Sequence, residues 1–178
     1  MSLQFNVSQL LKSGIGQSRA YEFEADEPLV LGEESASDVH GHVRFMLTNF
    51  GIVANVDAHG LLHLNCSRCL EPFSSPVDMT FTEEYQPTID IATGLPATTP
   101  HNDSAFEISQ NHTIDLSEAL RQHFVLAEEM IPVCREDCKG LCPTCGNNLN
   151  TDPCACPPAQ EESPFLALQG LFADRDTE

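Results

Sequence analysis

Hydrophobic and polar residues alternate along most of the first half of the chain. Alternation with a period of two is typical of strands that bury one face, because successive side chains of a strand point to opposite sides. The pattern predicts short strands at residues 3–7, 19–24, 43–50, 52–56, 61–64 and 77–85. Gly51 and the His59–Gly60 pair predict turns between neighbouring runs, and residues 32–37 an exposed acidic loop. Short strands at this spacing favour a mainly antiparallel sheet or a small barrel.

A helical period replaces the alternation near residue 115. Apolar residues at three- and four-residue steps form one stripe, which is typical of a helix that packs against a core. The stripe consists of Leu116, Ala119, Leu120, Phe124 and Ala127. We expect Asp115 to cap this helix, with Glu118 completing a capping box, and Pro132 to stop it after Met130.

Eight cysteines occur as four close pairs. The pairs are Cys66/Cys69, Cys134/Cys138, Cys142/Cys145 and Cys154/Cys156. A disulfide scaffold is expected in secreted chains, and residues 1–17 show no charged leader followed by a long apolar run, so we expect no signal peptide. Close pairs instead suit a metal ion, which needs several thiolates near one another. We therefore predict a reduced, intracellular chain whose cysteines bind zinc.

The segment Cys142-Pro-Thr-Cys145-Gly146 is a typical zinc knuckle, in which the glycine lets backbone amides turn toward the sulfurs. A knuckle supplies two ligands of a tetrahedral zinc ion, and Cys154 and Cys156 follow closely enough to complete the site. We predict that these four thiolates hold one ion.

The remaining cysteines could form a second site. Cys66, Cys69, Cys134 and Cys138 would then join the sheet to the C-terminal module, and the chain would hold two zinc ions. Two alternatives stay open: Cys138 could join the knuckle instead, or one ion could be bound and the other cysteines left over.

Zinc held by four thiolates has no coordination position for water or substrate, which indicates a structural role. A redox or metal-handling protein that uses the Cys66/Cys69 pair is the alternative, although no thioredoxin-like βαβ pattern surrounds that pair. An iron–sulfur cluster would use the same ligands. No nucleophile elbow and no phosphate-binding glycine loop occurs, so we expect no enzyme. His40 and His42 would share one face of a strand, but two ligands do not make a metal site.

The other segments complete the predicted domain plan. Residues 87–113 carry prolines among threonines with little periodicity, which predicts a flexible insertion, and Ser163-Pro164 predicts a short closing helix. The predicted fold is α+β: a mainly antiparallel β-sheet or small barrel with a packed helix and a C-terminal zinc module. Its parts are a β-rich domain at 1–86, the insertion at 87–113, the packed helix at 114–131, the cysteine module at 132–158 and the closing helix at 163–173.

The charge balance is strongly acidic, with 8 basic and 27 acidic residues and a net charge of −19. Such a surface repels phosphates, which disfavours broad binding to nucleic acid and favours basic protein partners. Three of the basic residues, Arg68, Arg135 and Lys139, fall inside the cysteine segments. They either balance thiolate charge or form a small contact for RNA or a partner. No run of about 18 apolar residues predicts a membrane span.

Three segments together resemble the YceD family of large ribosomal RNA subunit accumulation proteins. They are Cys66-Ser-Arg-Cys69-Leu-Glu-Pro-Phe73, Ile114-Asp115-Leu116 and Cys138-Lys-Gly-Leu-Cys142-Pro-Thr-Cys145-Gly-Asn-Asn-Leu-Asn150. The resemblance runs from the start at Asn6-Val-Ser-Gln-Leu-Leu11 to the closing apolar segment. It implies a cytoplasmic bacterial protein, or an organellar relative, that supports accumulation of large-subunit ribosomal RNA without enzymatic activity. The acidic charge then favours a basic protein of the large subunit or its assembly machinery as the main partner, with limited contact to the RNA.

Overall fold

The computed structural model describes residues 3–91, 93–97 and 105–157, and the predicted closing helix at 163–173 lies outside them. The chain divides into two compact units, which are described separately. The first comprises Met1–Cys66 and Glu71–Cys134, and the second comprises Ser67–Leu70 and the chain from Arg135 onward.

The first unit contains eight strands and two helices in its described part. The strands are β1 (Gln4–Asn6), β2 (Ser18–Glu24), β3 (Leu29–Val30), β4 (Ser35–Leu47), β5 (Ile52–Asn65), β6 (Pro72–Pro87), β7 (Phe106–Ile108) and β8 (Thr113–Asp115). The helices are α1 (Ser8–Leu11) and α2 (Ser117–Ala127).

The strands form an open sheet in the order β2-β4-β5-β6-β7, with β3 paired to β4, and a small second sheet of β1 and β8. Every pairing is antiparallel except that of β6 with β7, which is parallel. The prediction of a mainly antiparallel sheet with a packed helix is therefore confirmed, and the sheet is open rather than closed into a barrel. Strand β7 lies inside the segment 87–113; the flexibility of that segment stays a prediction.

The core lies on one face of the large sheet. Alternate residues of β4 and β5, such as Val43, Phe45, Ala54 and Val56, are fully buried, while their neighbours along each strand are exposed or half-buried. This is the alternation expected for a sheet with one solvated face. Helix α2 adds Ala119, Leu120 and Phe124 to the same core.

The predicted turn at His59-Gly60 is wrong, because both residues lie within the continuous strand β5. Gly60 is buried, and a Cβ atom there would lie 2.8 Å from the Phe124 ring. Glycine is therefore present to let the helix approach the strand, which is the other common reason for glycine inside a strand. The predicted acidic loop at 32–37 is also too long, since β4 already begins at Ser35.

The predicted helix is real but shorter than the pattern suggested. It ends at Ala127, and Met130 is fully exposed beyond it. Asp115 is not the N-cap residue, because that position is held by Leu116, which makes no side-chain cap hydrogen bond. Asp115 stands one residue earlier, where its carboxylate accepts a hydrogen bond from the Ser117 backbone N–H at 2.8 Å. The capping box is absent: Glu118 turns outward and accepts hydrogen bonds from Arg121 at 2.6 and 2.8 Å.

Candidate metal centres

The C-terminal knuckle is a tight backbone turn in the second unit. The Gly146 N–H donates to the Cys142 carbonyl at 2.9 Å, and the Cys142 N–H donates to the Asn147 carbonyl at 2.8 Å. Gly146 has φ +75°, in the left-handed region that residues with a Cβ rarely adopt. A Cβ there would contact nothing within 4 Å, so glycine is required by backbone conformation alone.

This turn prepares one cysteine for metal binding. The backbone N–H groups of Cys145 and Thr144 point at the Cys142 sulfur and lower the pKa of that thiol to about 6. The thiols of Cys145 and Cys154 raise the pKa of Cys156 to about 12. The pKa of Cys154 is raised as well. The Cys156 N–H lowers this pKa, but the hydrogen bonds with the thiols of Cys142 and Cys145 raise it by more. Cys142 is therefore disposed to bind as a thiolate, and a metal must displace the protons of Cys154 and Cys156.

Two sets of four cysteines have their sulfur atoms within 4.8 Å of one another. The first set is Cys66, Cys69, Cys134 and Cys138, and the C-terminal set is Cys142, Cys145, Cys154 and Cys156. No disulfide joins any of the eight, all of which the structure describes. The two sets are those that the spacing favoured, with Cys138 outside the knuckle set. Four sulfurs at this separation suit one tetrahedral ion per set.

The first pair sits in a second knuckle, which the sequence did not reveal as one. The Cys66 N–H donates to the Glu71 carbonyl at 3.0 Å, and Leu70, which follows Cys69, has φ +62°. Leu70 therefore occupies the position that Gly146 holds in the other knuckle, with the same left-handed backbone. A bulky residue in this region carries a steric cost of about 1–2 kcal/mol. Strain of this kind persists where a functional turn requires it.

Asn150 is a supporting residue that the sequence reasoning missed. Its side-chain Nδ2 donates to the Cys138 sulfur at 3.4 Å and to Asn148 Oδ1 at 2.9 Å. Its Oδ1 accepts from the Lys139 N–H at 2.9 Å and from the Arg135 guanidinium at 2.8 Å. Hydrogen bonds to ligand atoms orient them and spread the charge of a thiolate. The only signal in the sequence was the asparagine-rich stretch after the knuckle.

The three basic residues of the cysteine segments all belong to the second unit. The Arg68 guanidinium donates to the carbonyls of Glu136 and Cys138 at 3.3 and 3.1 Å, so it holds the loop around the cysteine. Arg135 is shared between Asn150 and an ion pair with its neighbour Asp137 at 3.4 Å. The Lys139 side chain is exposed.

A sheet domain with two four-cysteine sets defines the class: a β-rich protein whose cysteines could hold metal ions. The family model for the large ribosomal RNA subunit accumulation protein YceD matches residues 54–172, which include all eight cysteines. The chain belongs to this family.

Curated relatives match shorter stretches. An uncharacterized protein of Mycobacterium tuberculosis is 36% identical over 88 residues, covering 49% of this chain and 40% of the relative. A maize protein named large ribosomal RNA subunit accumulation protein YCED homolog 1, chloroplastic, is 45% identical over 60 residues, covering 33% of this chain and 20% of the relative. The chain thus spans well under half the length of these relatives. No solved structure matches.

Proposed function

We propose that this chain is a non-enzymatic, cytoplasmic ribosome-biogenesis factor that supports accumulation of large-subunit ribosomal RNA. The observation that carries the proposal is the family match over residues 54–172, since the family's name implies involvement with that RNA. Within residues 3–91, 93–97 and 105–157, no helix is long and apolar enough to cross a membrane.

Zinc is the metal we propose for both cysteine sets, with one ion in each. Thiolate ligands in tetrahedral sets of four are typical of structural zinc. Such an ion stabilises a small module whose core is too small to fold alone. Metal analysis of protein purified without added metal should give about two zinc ions per chain. A brown protein with visible absorption would instead indicate an iron–sulfur cluster.

The burial of Cys66 and Cys69 favours a factor that acts by binding its partner over a redox protein that uses this pair. Cys66 is fully buried and Cys69 is 4% exposed, whereas redox-active cysteines are accessible and have a lowered pKa. Titration of the native, zinc-loaded protein with a thiol reagent should therefore find almost no fast-reacting thiol. A rapidly reacting pair at Cys66 and Cys69 would favour the redox or metal-handling alternative.

For the partner we propose a basic protein of the large subunit or of its assembly machinery. The net charge of −19 attracts such proteins and raises the rate of encounter. We propose that any RNA contact is small and centred on Arg68, Arg135 and Lys139. Lys139 is best placed, because both arginines already bond to their own unit.

Depletion and crosslinking test the proposal together. Cells lacking the protein should lose large-subunit RNA relative to small-subunit RNA. A crosslinking pull-down from growing cells should recover large-subunit or assembly proteins. Lys139→Ala should reduce RNA recovery, and Lys12→Ala, which removes an exposed lysine of the first unit, should not. Tight binding to naked ribosomal RNA at physiological salt, unchanged when Arg68, Arg135 and Lys139 are all alanine, would contradict this picture.

A further inference from the structure

The solvated face of the large sheet brings histidines and carboxylates into one row. His40 on β4 lies directly opposite His59 on β5. Glu24 on β2 lies beside His40, and Asp78 on β6 lies beside His59. A bulge between Ser37 and His40 sets this register, because it inserts an extra residue into β4.

Both imidazole rings are held through the same nitrogen. His40 Nδ1 lies 2.7 Å from the Asp38 carbonyl oxygen, and His59 Nδ1 lies 2.6 Å from Asp78 Oδ1. A carbonyl and a carboxylate can only accept, so each Nδ1 is a donor and each neutral ring keeps a lone pair on Nε2. Among the described residues neither Nε2 has a hydrogen-bond partner. Histidines that bind metals usually show this arrangement, with the second nitrogen donating to a carbonyl or carboxylate.

The spacing of the two rings suits a shared ion. Their centroids lie 5.5 Å apart and their planes are tilted by 32°. Two imidazoles on one tetrahedral ion, with metal–nitrogen bonds of about 2.0–2.1 Å, have centroids about 5 Å apart. Both side chains are on the surface, and His59 is 47% exposed, so the rings have room to turn toward a shared ion.

We propose that His40 and His59 bind a divalent transition-metal ion through Nε2, with the Glu24 carboxylate as third ligand. Glu24, His40 and His59 line one shallow depression, together with Glu22 and His42. In the described residues only the two cysteine sets already bring three or more ligand atoms within 4.8 Å, so the side chains of Glu24, His40 and His59 must move closer together to complete the site. Imidazole and carboxylate ligands suit nickel, copper and zinc, and they differ from the all-thiolate sets elsewhere in the chain.

Nickel binding to the untagged, zinc-loaded full chain tests this site. The protein is dialysed against a series of Ni²⁺ concentrations, and both nickel and zinc are counted per chain. We expect one nickel ion to bind without loss of zinc. His40→Gln and His59→Gln should each weaken nickel binding at least about tenfold, because each removes a ligand.

His63→Gln is the matched control. His63 is exposed on the same face, but Ser37 Oγ lies 2.8 Å from its Nε2 and Ser74 Oγ lies 2.9 Å from its Nδ1, so both nitrogens are occupied. Its substitution should leave nickel binding unchanged. The proposal is overturned if His63→Gln weakens binding as much as the other two changes. It is equally overturned if every nickel ion bound displaces one zinc ion, or if His40→Gln and His59→Gln bind nickel like the unmodified chain.

Discussion

Gly146→Ala should weaken metal binding by the C-terminal set through the backbone alone. The residue has φ +75°, and a Cβ there would contact no other atom within 4 Å, so no packing change accompanies the substitution. A residue with a Cβ in the left-handed region costs about 1–2 kcal/mol. Zinc binding and folding of this small module are coupled, so the cost of the folded turn lowers the affinity for zinc. It corresponds to affinity about 5- to 30-fold weaker.

The assay is competition with a chelator on the full chain, with residual zinc measured across a series of chelator concentrations. The shift should fall on the zinc held by the C-terminal set and spare the first set. Gly146→Asn should recover much of the loss, because asparagine enters the left-handed region more readily than alanine.

Gly94→Ala is the matched control for this substitution. Gly94 also has positive φ, at +68°, and open space around its missing Cβ, but it lies in the first unit, whereas the C-terminal set lies in the second. It should carry a similar backbone cost and leave zinc retention unchanged. The reasoning fails if Gly146→Ala retains zinc as well as Gly94→Ala does, or if the asparagine variant loses as much zinc as the alanine variant.

Two further substitutions and one binding measurement probe the cysteine sets. Leu70→Gly relieves the left-handed strain of the first knuckle, but glycine loses more backbone entropy on folding, which offsets about 0.5–1 kcal/mol of the gain. Zinc retention by the first set should therefore improve by up to about fivefold in the chelator assay, and weaker retention would contradict this. Asn150→Asp replaces the donor to the Cys138 sulfur by an acceptor, so the zinc affinity of the first set should fall about 10- to 100-fold in the same competition. An unchanged midpoint of the chelator titration would exclude a supporting role for Asn150. Zinc binding to stripped protein at pH 7.5 should release protons from the C-terminal set, because zinc binds thiolates and two of these thiols have raised pKa values. Calorimetry in buffers of different ionisation enthalpy measures the number of protons released. The affinity for zinc should also rise with pH.

Local spacing in the sequence was enough to predict the C-terminal set. Cysteines two residues apart, followed by a glycine, define a knuckle through short-range backbone geometry, and the second pair follows within a few residues. The strands were likewise evident from alternation, since a period of two directly reports a half-buried sheet. Glycine was ambiguous, because Gly60 serves close packing against Phe124 whereas Gly146 serves a turn, and both look alike in sequence.

Contacts between residues distant in the chain needed the tertiary structure. A histidine on one strand meets a histidine on the next only if the register is known, and the bulge before His40 that sets the register has no signal in the pattern. The left-handed backbone at Leu70 could not be predicted from the sequence either, since leucine rarely adopts that conformation. The sequence by itself therefore determined the alternating strands, the packed helix and the grouping of nearby cysteines, because these depend on neighbours along the chain. Only the folded structure decided which side chains from separate strands and loops lie together, because that depends on strand register and on where the loops return.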